Sequence, residues 1–130
     1  MHFERRFTTP GEDAYAQIEF RSATSEIRNP DGTIVFQAEN IQVPKQFSQV
    51  ATDILAQKYF RKAGVPAALK RVEETSIPSW LWRSEPDTET LAKLPKEQRY
   101  LGETSAKQVF DRLAGTWTYW GWKGGYFNSE

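Results

Sequence analysis

The side chains able to do chemistry in this 130-residue chain are few. Glu73, Glu74, Glu85, Asp87 and Glu89 are the densest carboxylates, and two of them in one pocket could serve as acid and base. They lie in the stretch most broken by proline, so solvated surface is the expected reading. Lys58, Arg61, Lys62, Lys70 and Arg71 give five cations with no acid between them, a pattern that could meet phosphate. Acids from Glu73 onward offset it, and a solvated helix face is the expected reading. Gly121-Trp122-Lys123-Gly124-Gly125 is glycine-rich, but follows no clear strand and lacks the Gly-Lys-Ser/Thr ending of a phosphate loop. The single histidine, His2, stands at the start of the chain and is expected to have no role.

Absent residue types exclude more. There is no cysteine, which removes disulfides, thiolate metal sites and cysteine nucleophiles. Lys+Arg and Asp+Glu number 17 each, so no net field draws nucleic acid or an anionic membrane. No apolar run approaches the roughly 20 residues of a membrane span, and residues 1–7 lack the apolar core of a signal peptide. These features point to a soluble, cytoplasmic protein with no catalytic, cofactor-binding or metal residue of its own.

The aromatic residues carry the remaining signal. Trp117, Tyr119, Trp120, Trp122, Tyr126 and Phe127 fall within eleven positions, and Trp80 and Trp82 form a smaller pair. Exposed rings could stack on bases, but such platforms interleave Arg and Lys, and here only Lys123 does so. These eight residues are therefore expected to be core, or an interface awaiting further protein.

The elements that must position them follow from local patterns. Residues 1–16 read as an irregular lead-in. A β-hairpin is expected over 17–43, turning at Asn29-Pro30-Asp31-Gly32, where proline presets one dihedral and glycine accepts a positive φ. A two-stranded hairpin is marginal alone in water and must lie on something. Phe47, Val50, Ala51, Ile54, Leu55 and Tyr59 form an apolar stripe, predicting a helix over 48–63 capped by Ser48 and stopped at Gly64-Val65-Pro66. Residues 66–103 read as an irregular arm broken by Pro66, Pro78, Pro86 and Pro95, with short helices near 67–74 and 88–94 as options, held down by Trp80, Leu81 and Trp82. A second helix is predicted over 105–117, with Ser105 and Gln108 at capping-box spacing and Ala106, Val109, Phe110, Leu113, Ala114 and Trp117 on its stripe. The aromatic segment 117–130 follows, loosened by Gly121, Gly124 and Gly125, and Ser129-Glu130 reads as the onset of another helix. The expected class is α+β, mainly helical, in a single region.

Three strings carry a family resemblance: Thr24 to Gly32; Val43-Pro44 through Ile54-Leu55-Ala56-Gln57-Lys58-Tyr59-Phe60-Arg61-Lys62 to Pro66; and Glu103-Thr104-Ser105-Ala106 running into Phe110 to Trp122. Together they resemble the N-terminal region of the adenosylcobalamin-dependent (class II) ribonucleotide reductases, over most of the chain. One departure is Phe47, where many relatives are expected to carry Trp. The resemblance implies an oxidoreductase parent, a ribonucleoside-diphosphate reductase making deoxyribonucleotides for DNA synthesis. Cobalt–carbon homolysis there generates a cysteine thiyl radical, and a cysteine pair supplies the electrons. Its catalytic α/β barrel lies beyond Glu130, so no catalytic, cobalamin or substrate residue carries over, and no ATP-cone is evident. It further implies that 1–130 is a fragment, a split-gene product or a shortened chain, inactive and cofactor-free alone. Its role would be to buttress the catalytic core, on the same or a separate chain, with self-association as a further option and no nucleic-acid or membrane partner. The other reading is a stand-alone binding module using the 117–127 aromatic cluster.

Overall fold

The structure, a computed structural model, describes residues 1–128. The helix onset read at Ser129 and Glu130 lies outside the described residues. The chain forms two compact units, one of Phe3–Phe60 with Thr104–Phe110, the other of Met1–His2, Arg61–Glu103 and Asp111 onward.

The first unit is built on an antiparallel hairpin, β1 (Phe20–Arg28) and β2 (Ile34–Pro44). Its turn closes through Asn29 N–H donating to Thr33 O (2.8 Å) and Gly32 N–H to Asn29 O (2.9 Å), with Gly32 at φ +89°. Hydrogen bonding from the Thr33 side chain and amide holds the Asp31 carboxyl below its usual range. Ala23 faces Ile41 and Ser25 faces Ala38, so β2 carries one extra residue there. Asn40 absorbs the bulge at φ 55°, a region asparagine tolerates better than most.

One face of the hairpin, carrying Ala23, Ser25, Ile41 and Val43, is buried. α1 (Gln49–Ile54) packs near it, started by Ser48, whose hydroxyl accepts from Ala51 N–H. The Ser25 hydroxyl donates to Asp53 (2.7 Å), and the Gln49 amide donates to Thr24 O (2.9 Å). Phe47 meets Phe110 edge to face at 6.5 Å. The helix expected to reach residue 63 is shorter. It widens into a π turn over Leu55–Tyr59, closed by Phe60 N–H to Leu55 O, and Phe60 is extended. The wide turn lets Leu55, Ala56 and Phe60 be buried together.

The second unit overturns the reading of 66–103 as an irregular arm. β3 (Val65–Pro66) pairs with β6 (Tyr100–Leu101), and β4 (Leu69–Arg71) pairs with β5 (Ser84–Pro86), both antiparallel. α2 (Thr88–Ala92) is capped by Asp87, which accepts from the Thr90 amide and hydroxyl; those bonds hold its carboxyl below the usual range. Prolines that would break a long sheet are tolerated here because each strand is two or three residues long and open at an edge. Ile77, Leu81 and Leu91 are the buried apolar side chains of this unit among the described residues.

α3 (Ala106–Lys123) is the long helix of the fold. At its start the Gln108 side chain accepts from Thr104 and Ser105 N–H, and the Ser105 hydroxyl accepts from Lys107 N–H. It runs past the expected end at 117, because single glycines at 115 and 121 cost only about 1 kcal/mol each and break nothing. It stops where Gly125 takes φ +71°, with Tyr126 N–H bonding Gly121 O and Gly125 N–H bonding Trp122 O, a Schellman ending.

The class is therefore not mainly helical. Helix takes 31% of the residues and strand 24%, the strands forming three two-stranded sheets among the described residues. Pairings of two to three residues a side leave no periodicity to read, so this strand content carries no signal in the sequence.

Candidate functional site

The predicted aromatic residues fall into two groups within the second unit. The first group builds structure around residues 74–82. The Trp82 indole donates to Ile77 O (2.9 Å) and Glu74 O (3.1 Å), and the Trp122 indole donates to Ser76 O (2.9 Å). The Tyr119 hydroxyl sits 2.8 Å from both carboxylate oxygens of Glu74, and Arg83 Nε lies 3.1 Å from one of them. Lys123 covers the Tyr119 ring at 5.2 Å. Trp82, Tyr119 and Trp122 are thus internal anchors whose polar tips are satisfied.

Phe127 folds back over α3. A Cβ at Gly121 would stand 2.6 Å from Phe127 Cζ, so glycine makes room for the ring. Gly121→Ala is expected to push Phe127 off the helix, read as a shift of the Phe127 ring resonances in NMR spectra with little change in helix content by circular dichroism. The second group is exposed: Trp80, Trp117, Trp120 and Tyr126 each keep more than half of their surface.

The carboxylates do not converge. Glu74 is engaged by Tyr119 and Arg83, Glu85 pairs with Lys70 at 3.4 Å, and Asp87 caps α2. The cationic run disperses as well. Lys58 lies in the π turn, Arg71 donates to Ser79 O, and partial burial lowers the Lys62 pKa. The Gly121–Gly125 segment ends a helix instead of starting one, so carbonyl groups face outward there and an anion is disfavoured. Among the described residues no group of three or more His, Asp or Glu side chains could hold a metal ion, and no helix is long and apolar enough to cross a membrane.

A depression of about 310 Å³ lined by Gln17, Ile18, Glu19, Lys45 and Gln46 lies on the first unit. It is open to solvent, whereas a corrinoid needs an enclosing cavity.

Among the described residues of the second unit, the most enclosed ion pair carries no pattern that singles it out in the sequence. The Glu103 side chain is 4% exposed and lies 3.0 Å from Arg112 Nε. It also accepts from Arg61 N–H (2.8 Å), while Glu103 N–H donates to Arg61 O (2.8 Å). One carboxylate thus ties the segment after Phe60 to α3. A spacing of nine residues across a helix start follows no helical or strand period, so the pair carries no pattern in the sequence.

Comparison with known proteins gives the family. A family model described as class II vitamin B12-dependent ribonucleotide reductase matches residues 21–130. The vitamin B12-dependent ribonucleotide reductase of Bradyrhizobium diazoefficiens is 67% identical over all 130 residues, and that of Agrobacterium fabrum is 66% identical over the same span. The chain covers 10% of the length of each. Identity at this level across the whole chain shows that it belongs to the class II, vitamin B12-dependent ribonucleotide reductase family, as its N-terminal region.

Proposed function

We propose that this chain is the structural N-terminal part of a ribonucleotide reductase that makes deoxyribonucleotides for DNA synthesis in the cytoplasm. It buttresses the catalytic core and carries none of the chemistry. The observation behind this reading is the pairing of 66–67% identity over the whole chain with coverage of one-tenth of each relative. Reducing a ribose C2′–OH to C2′–H takes two electrons and releases the oxygen as water. A thiol pair is the protein group suited to supply them, and the chain has no cysteine. Adenosylcobalamin, which supplies the initiating radical when bound, is held by the core. The polar tips of Trp82, Tyr119 and Trp122 are engaged within their own unit, as expected of scaffold residues.

The cluster most like an acid–base pair provides the test. In the complete reductase, Tyr119→Phe and Glu74→Gln are expected to leave turnover within about twofold while lowering the melting temperature, because each removes one hydrogen-bonded partner worth about 1 kcal/mol. A hundredfold loss of turnover with unchanged melting would overturn the reading.

A further inference from the structure

α3 presents two sets of aromatic side chains. Tyr119 and Trp122 hold residues 74–82. Leu113, Trp117 and Trp120 stand at i, i+4 and i+7, which puts them in one line on another side of the helix. Traced toward the helix start, the line passes through Val109 and Ala106, which are 1% and 0% exposed. The apolar stripe is therefore continuous while its cover is not, for Trp117 and Trp120 each remain 64% exposed. Two indoles within one turn form a large apolar patch of the kind that marks a contact with other protein.

Charge narrows the occupant. No position on this line is ionisable, and the cation that follows Arg112 in α3, Lys123, lies against the Tyr119 ring. A phosphate-rich strand would find no counter-charge here, and a stacking platform would need interleaved Arg or Lys. An apolar protein surface fits. The relatives supply its source, since nine-tenths of each lies outside the part this chain matches. We infer that the Trp117–Trp120 face of α3 is the seat on which the remaining reductase polypeptide packs, with both indoles as its anchors. This rests on the structural role proposed above and assigns that role to one helix face, separate from Trp82, Tyr119 and Trp122.

Hydroxyl-radical footprinting of the complete reductase, with the urea-unfolded enzyme as reference, tests it by mass spectrometry. An indole that keeps its 64% exposure oxidises at more than half the unfolded rate, whereas a covered one falls below about a tenth. Protection of at least tenfold at both Trp117 and Trp120, independent of enzyme concentration, is the expected result. Protection under twofold overturns the inference. Protection that grows with enzyme concentration overturns it in favour of a second copy. A W117E/W120E enzyme gives an independent reading, because neither side chain is needed inside its own unit. Limited proteolysis is expected to release the N-terminal region at least tenfold faster, and an unchanged release rate counts against the seat. Free labelling of both indoles in an enzyme that still needs residues 1–130 for stability would remove this face and leave the structural role standing. Protected indoles in an enzyme that loses nothing on deletion of 1–130 would do the reverse.

Discussion

Arg112→Ala is expected to destabilise the fold by about 3–5 kcal/mol, the range found when one partner of a buried ion pair is removed. The Glu103 carboxylate, 4% exposed, would keep its bond from Arg61 N–H but lose the guanidinium at 3.0 Å. A charge left in that position cannot be rehydrated without opening the junction between Arg61 and α3. Glu103→Gln should cost less, because it removes the charge and can still accept from Arg61 N–H. Urea unfolding followed by tryptophan fluorescence separates the two. The midpoint for Arg112→Ala should fall well below that for Glu103→Gln, and equal midpoints would show that the pair is not the junction's main tie.

Gly102→Ala should destabilise by about 1–3 kcal/mol, the usual cost of forcing extra atoms into a packed site. The added Cβ would lie 2.9 Å from Lys62 O and 3.2 Å from Arg61 O. Both are backbone atoms, so no side chain can swing away. Relief requires moving the 61–62 segment away from 101–103, which strains the β3–β6 pair and the reciprocal Arg61–Glu103 bonds. Hydrogen exchange at the Glu103 amide, which donates to Arg61 O, is the local readout. Faster exchange is expected there, with the β1–β2 hairpin amides unchanged.

Both sites were illegible in the sequence, and for the same reason. The Asn29–Gly32 turn, the Ser48 cap and the Gln108 side chain at the start of α3 are local devices, in which residues within four positions satisfy each other's backbone groups. Gly102 and Glu103 act on residues about forty positions away, where no period links partner to partner. The helix after Ser48 illustrates a third case. Its apolar stripe reads as regular three-and-four spacing, yet the backbone widens at Leu55 so that Leu55, Ala56 and Phe60 are buried together, and tertiary packing overrides the period. The aromatic cluster is legible by composition alone. Which rings are committed within the unit and which stay open depends on where residues 74–82 fold, and short strands gave no sign of that.

The most direct test of the structural role is to delete residues 1–130 from the complete reductase and compare melting temperature and turnover with the intact enzyme. The role predicts a lower melting temperature and a smaller native fraction, with the molecules that remain folded still forming deoxyribonucleotides. A truncated enzyme that melts where the intact one does would contradict it, whether its turnover is retained or lost.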